Sequence, residues 1–262
     1  MKALLRRLLP APYRALAAWR RARREATTAR SLRRMVRTFL DFYGPRVIQG
    51  PFGGTRYVEK AVGSEFLPKL LGSYESELHD TIAELIASDP QVIVDIGCAE
   101  GYYAVGLALR CPAATVYAFD TDPEAREMCR QVAAANAVQG RVVIEATCGP
   151  DRLNALPLSR AVLICDCEGC EIDVLDPVRV PALGACDILV ELHDFLNPAI
   201  TPTLLRRFSA THRIALIDSV NRDPDRHPAL WFLPRRSERT LALHERRVPM
   251  QWAWMRARTR AS

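Results

Sequence analysis

The chain has 262 residues, of which 49% are hydrophobic and 25% charged; this supports one large buried core and excludes a disordered protein. No apolar run approaches the roughly 18 residues that a membrane-spanning helix needs, and arginines interrupt every apolar stretch near the N-terminus, so a secretory signal is not expected. Residues 1–46 carry 13 Lys and Arg against 2 acids, residues 235–262 carry 8 Arg against 2 Glu, and the formal charge of +6 therefore belongs to the two ends, with an acidic stretch between them. Such ends suit an anionic surface, either lipid headgroups or nucleic acid. Solvated helix faces in an arginine-biased chain, 33 Arg to 3 Lys, fit the same numbers. Eight cysteines at irregular spacing, several inside apolar runs, read as reduced buried thiols of a cytosolic protein rather than a disulfide framework.

Residues 1–43 have a helical pattern, with Leu16, Trp19, Ala22, Ala26 and Ala29 on one weakly apolar face and Pro10 and Pro12 dividing off the first turns. Residues 44–58 form a Gly/Pro-punctuated loop. Residues 67–90 end in a helix that places Leu78, Ile82, Leu85 and Ile86 on one side. A regular alternation follows. QVIVDIG (91–97), TVYAFDTDP (115–123), RVVIEATCG (141–149), AVLICDCEG (161–169) and CDILVELHDF (186–195) read as strands, with helical segments between them. HRIALIDSV and PALWFLPRR read as a closing strand pair. This predicts an α/β fold: a Rossmann-like, doubly wound, seven-stranded and mostly parallel sheet with an N-terminal helical extension. The expected organisation is a basic helical extension over 1–46, a catalytic domain over 47–240 and a basic tail over 241–262.

Ligands of such sheets bind off the carboxyl ends of the strands. The first strand ends in VDIGCAEGYYA, where Gly97 and Gly101 let the backbone approach a ligand closely. Asp120 ends the second strand, where an acid can accept hydrogen bonds from both hydroxyls of a ribose. The middle glycine of a dinucleotide loop is missing, and Glu100 in the turn disfavours a pyrophosphate. A ligand carrying an ammonium and a sulfonium does not meet that objection, and Asp95 suits it.

In order, VDIGCAEGYYAVGLA, VYAFDTDP, CDCEGCEIDVL and ILVELHDF resemble the motifs of class I S-adenosylmethionine-dependent methyltransferases. Within that group the chain looks most like the FkbM-type family, whose fourth-strand signature, close to Asp-x-Glu-Gly-x-Glu, is matched by Asp166, Glu168, Gly169 and Glu171. The resemblance covers roughly residues 70–195. It implies S-adenosyl-L-methionine as cofactor, held by the loop Asp95, Gly97, Cys98, Ala99 and Gly101 and by Asp120 with Thr121. It also implies that Tyr74 and Glu75 close over the cofactor, and that the acceptor is a hydroxyl of a sugar, glycan or related metabolite.

Cys165, Cys167 and Cys170 could ligate zinc, but no fourth Cys or His follows at the usual spacing. Strand alternation instead points Asp166 into the cleft and packs the thiols away from it. Glu171 reads as an acid at a helix start, favoured there by the helix dipole. The fifth strand delivers Glu191 and His193 on one side. With an ordinary pKa near 6.5, His193 is matched to taking a proton from an attacking hydroxyl, which makes it the expected general base, with Asp166 and Glu191 as its catalytic companions. The alternative is a divalent cation such as Mg²⁺ held by Asp166, Glu191 and Asp194. A nucleic-acid acceptor is disfavoured by the acidic middle of the chain, and a non-catalytic nucleotide-fold binding protein by the intact set Asp95, Gly97, Gly101 and Asp120. The basic N-terminal helices suggest peripheral contact with the inner face of a membrane by an otherwise cytoplasmic protein.

Overall fold

The computed structural model describes residues 10–61, 65–159, 161–246 and 248–258, over 10–14 as backbone alone. It divides into two units, 1–44 and 45–262. The described part of the first is a single helix, α1 (Pro10–Tyr43). The segment KALLRRLL, expected to be helical, lies outside the described residues. Pro10 opens α1 and Pro12 falls in its first turn, where a missing N–H leaves no intrahelical bond unmade, so neither proline divides it. Residues 15–30 are exposed, and Arg21 pairs with Glu25 one turn on, 2.9 Å away.

The second unit is built on a seven-stranded sheet of order β3-β2-β1-β4-β5-β7-β6. Its strands are β1 (Val92–Ile96), β2 (Thr115–Phe119), β3 (Val142–Glu145), β4 (Ala161–Cys165), β5 (Asp187–Leu192), β6 (His212–Asp218) and β7 (Gln251–Ala257). β1 to β5 run parallel, and β7 inserts antiparallel between β5 and β6. The helices are α2 (Phe66–Leu71), α3 (His79–Ala87), α4 (Tyr102–Arg110), α5 (Pro123–Ala135), α6 (Pro150–Asn154), α7 (Glu171–Val174), α8 (Ile200–Phe208) and α9 (Arg236–Ala242). β1 and β4 are buried along their whole length, as parallel strands covered on both faces must be, and Leu163, Ile188, Val190 and Met255 sit in the core between β4, β5 and β7.

Two expectations fail. PALWFLPRR is not a strand: it forms a 3₁₀ turn at Pro228–Leu230 followed by the approach to α9. Pro228 and Pro234 carry no N–H to give to a sheet ladder, which disfavours a strand here. The partner of β6 is QWAWMRA, whose Trp252 to Met255 are all buried. Residues 251–257, expected within a basic tail, instead form a strand with neighbours on both sides.

No helix among the described residues is long and apolar enough to cross a membrane.

Candidate active site

Strand register assembles the site. Ile96 lies beside Cys165, and Cys165 beside Val190. The next rung therefore sets Gly97, Asp166 and Glu191 side by side at the carboxyl ends of the three central strands. The Asp166 N–H bonds the Ile96 carbonyl at 2.8 Å. Gly97 adopts φ +88°, and a Cβ there would fall 1.7 Å from the Asp166 carbonyl oxygen, so only glycine fits.

The first loop is tied to β2. The N–H groups of Gly97 and Cys98 bond the Phe119 carbonyl at 2.8 and 2.9 Å. Asp120 accepts from Ala99 N–H on Oδ2 and from Asp122 N–H on Oδ1, both at 2.8 Å. Each carboxylate oxygen keeps a lone pair for a further donor such as a ribose hydroxyl. Thr121 is exposed beside it. Asp95 is buried, its Oδ2 has no hydrogen-bond partner, and burial raises its pKa to about 7 despite a bond from the Ala104 backbone.

Glu100 departs from its expected role. It is fully buried, with Lys69 Nζ 2.5 Å and the Tyr57 hydroxyl 2.6 Å from Oε1. Burial pushes the carboxyl up, but Lys69 and Tyr57 outweigh it and hold the pKa below its ordinary value. Its charge is neutralised inside the protein. It neither attracts an ammonium nor repels a phosphate, so the sequence argument drawn from it does not hold.

His193 is the centre of the second cluster. Its Nδ1 lies 2.5 Å from Glu171 Oε1, and its Nε2 lies 3.3 Å from Glu191 Oε2 and 3.5 Å from Asp166 Oδ1. Arg246 pairs with both Glu191 and Glu75, and the Tyr103 hydroxyl donates to Glu75. Glu75 is buried at φ +47°, its N–H bonds Glu245 Oε2 at 3.1 Å, and burial, only partly offset by Arg246, raises its pKa to about 7. The Tyr74 ring stands edge-on to Tyr102 at 5.4 Å, with Lys69 Nζ 5.0 Å from its centroid.

The electrostatics overturn one expectation. Burial lowers the affinity of His193 for a proton, but Glu171, Glu191 and Asp166 together raise its pKa to about 10. The imidazole is charged at neutral pH rather than poised near 6.5. Of the adjacent carboxyls, burial and the charge of Glu191 raise Asp166 well above the usual range. Glu191 is held at about 2, because His193 and Arg246 outweigh its own burial. These two neighbouring carboxyls are thus pushed in opposite directions.

The structure thus brings Asp166, Glu191 and His193 together, with one donor atom from each within 4.8 Å of the others. Asp194 is not among them. Its carboxylate turns to the start of α8, accepting from the N–H of Thr201 at 3.0 Å and from its hydroxyl at 2.5 Å. The proposed cation triad changes accordingly from Asp194 to His193. Sequence reading gave Glu171 only a helix-start role, yet it grips the histidine. Arg246 was missed because it lies in the segment taken for a tail.

The thiols also differ from expectation. Cys167 and Cys170 are joined in a disulfide, while the other six cysteines are free. Cys165 Sγ lies 3.6 Å from Cys167 Sγ, so the two share a side of the chain, opposite Asp166, as alternation requires.

The sheet order and the loop after β1 are those of a Rossmann-like α/β fold, and residues 78–151 match the family model of the methyltransferase small domain. That stretch holds β1, β2, the glycine loop and Asp120, and ends before Asp166. Solved structures similar to the chain include a precorrin-8w decarboxylase from Methanobacterium thermoautotrophicum (17% identity, TM-score 0.46, 67% of this chain and 89% of that one). A precorrin-6Y C5,15-methyltransferase from Geobacter metallireducens is similar at 15% identity, TM-score 0.44, over 67% of this chain and 88% of its own. An rRNA methylase from Streptococcus thermophilus is similar at 11% identity, TM-score 0.44, over 69% and 96%. No curated protein matches the sequence.

Proposed function

We propose that the protein is an S-adenosylmethionine-dependent methyltransferase of FkbM type that methylates a hydroxyl of a sugar, glycan or related metabolite. The observation that carries the reading is the Glu171–His193–Asp166 array set directly beside the glycine loop. The residues present fit the cofactor. Asp95 Oδ2 is a buried acceptor in want of a donor, Asp120 keeps ribose-directed lone pairs, and Gly97, Cys98, Ala99 and Gly101 give a close-approach backbone. Tyr74 and Glu75 wall the same cleft. When bound, the cofactor supplies an electrophilic methyl group on a sulfonium.

The chain's own residues handle the proton. The acceptor hydroxyl must lose a proton as it attacks, and His193 serves as base only after giving up the proton its carboxylates stabilise. A cationic ligand held beside Asp166 and Glu191 would lower that proton affinity by direct repulsion. Glu171 fixes the ring and leaves Nε2 facing the cleft.

A metal-assisted reading is favoured by a separate observation, the convergence of Asp166 Oδ, Glu191 Oε and His193 Nε2. Glu171, bonded to Nδ1, would orient the ring and raise its basicity toward a metal at Nε2. An imidazole beside two carboxylates suits a transition ion better than Mg²⁺, which prefers oxygen donors alone. Peripheral attachment of a cytoplasmic enzyme to an anionic membrane through α1 belongs to the same proposal; its support is nine arginines against two acids over residues 10–43.

Calorimetric titration with S-adenosylhomocysteine, with EDTA and with added divalent ions, tests the reading. Micromolar binding that Asp120→Ala weakens and His193→Ala spares is expected. Absence of binding in every condition would overturn it.

A further inference from the structure

We infer that Cys167 and Cys170 form a redox-active dithiol whose oxidation state sets the placement of the two carboxylates flanking His193. The bond closes the four-residue loop Cys167-Glu168-Gly169-Cys170. Asp166 immediately precedes that loop and Glu171 immediately follows it. Glu171 meets Nδ1 of His193 at 2.5 Å, and Asp166 lies 3.5 Å from Nε2 beside Glu191 at 3.3 Å. The latch therefore spans the two sides of the imidazole.

Three further observations set this pair apart from a structural cross-link. A structural disulfide stabilises most by joining segments far apart in sequence, and a loop of four residues constrains the unfolded chain less. The other six cysteines stay free, and five of them are buried, so the chain builds no framework of bridges. Cys167 and Cys170 are only half-buried at the edge of the core, with exposed Glu168 between them. Their Cys-x-x-Cys spacing is that of dithiols that cycle. The neighbouring Cys165 is buried and packs against the bond, its Sγ 3.6 Å from Cys167 Sγ.

The backbone shows what the bond holds in place. Glu168 and Gly169 take φ +50° and +109°, the left-handed region that a non-glycine residue leaves readily when released. The Gly169 N–H bonds Glu171 Oε1 at 3.1 Å, and the Cys170 carbonyl accepts from Asp173 and Val174 at 3.0 and 3.1 Å to start α7. The partner is an external dithiol. One of its thiolates attacks a sulfur of the pair to give a mixed disulfide and one protein thiolate. Its second thiolate then displaces the other protein sulfur. The partner leaves as a disulfide, having lost two electrons and two protons, and both protein cysteines become thiols. A disulfide oxidant runs the exchange backwards. The consequence for turnover rests on the methyl-transfer reading above; the dithiol chemistry does not.

The full chain is equilibrated with reduced or oxidised dithiothreitol, and its cysteines are alkylated and mapped by mass spectrometry. Amide exchange is followed in parallel over peptide 164–175. Cys167 and Cys170 should switch together and reversibly while the other six cysteines keep their state. Exchange in 164–175 should quicken on reduction by about 10-fold, the scale set by closing a short loop. Cys170→Ser should show the fast exchange under both conditions, and wild-type data suffice if that variant does not fold. Free thiols at both positions under oxidising conditions, or identical exchange in the two states, would overturn the inference. S-adenosylhomocysteine titrations of both states separate the two readings. Switching without binding in either state removes the methyltransferase proposal alone, and binding without switching removes the dithiol alone.

Discussion

Replacing Glu171 by Gln tests the central electrostatic argument. The substitution keeps the side chain's shape and removes the charge 2.5 Å from His193 Nδ1. His193 is lifted from 6.5 to about 10 against the opposing effect of burial, with the Glu171 hydrogen bond foremost among the causes that raise it. At 1.36 kcal/mol per pKa unit the whole lift corresponds to about 5 kcal/mol. Asp166, one of the contributing acids, has a side chain 29% exposed, so water screens part of that sum. A hydrogen bond between charged groups contributes about 1.5–3 kcal/mol. Glu171→Gln should therefore bring His193 down by about 1–2 pKa units and cost about 2 kcal/mol of stability at neutral pH. The direction with pH follows from linkage. Between 6.5 and about 10 the native state holds a proton that the unfolded state has lost, so this stabilisation is complete below 6.5 and fades as pH rises through 10. The histidine Hε1 resonance, titrated by NMR from pH 5 to 11, gives the pKa. Urea melts at pH 6 and pH 10 give the stability. A His193 pKa near 6.5 in the native protein, or one unmoved by Glu171→Gln, would refute the reasoning.

Arg246→Met leaves Glu75 and Glu191 buried without their shared cation, and should cost about 3 kcal/mol and raise the Glu191 pKa from about 2; thermal melts and carboxyl NMR titration check both. Lys69→Met strands Glu100 in the core and should destabilise by about 3–5 kcal/mol in urea melts, and adding Glu100→Gln should recover much of that loss. Gly97→Ala forces a methyl group against the Asp166 carbonyl oxygen at a left-handed φ; it should both lower the melting temperature and abolish S-adenosylhomocysteine binding, and a variant that binds normally would contradict the close packing of the two loops.

The sequence by itself determined what short-range periodicity encodes. Five strands in continuous apolar runs, the helices between them, the glycine loop after β1 and the acids at the ends of β2, β4 and β5 could all be read locally, because burial on both faces demands unbroken apolar stretches and a tight turn demands glycine. Alternation also placed Asp166 opposite its neighbouring thiols. What only the tertiary structure decided depends on pairings far apart along the chain. β7 enters the sheet beside β5, and with it Arg246 reaches Glu191 across 55 residues and Glu75 across 171. Lys69 neutralises Glu100 across 31, reversing the meaning of an acid in the cofactor loop. Glu171 and Asp194 exchanged expected importance for the same reason. Whether a carboxylate serves a histidine or a helix start depends on which donors converge on it in space, and charge interacts through distance rather than through sequence. The pKa of His193 was out of reach of sequence on this ground, since three acids from β4, α7 and β5 set it together.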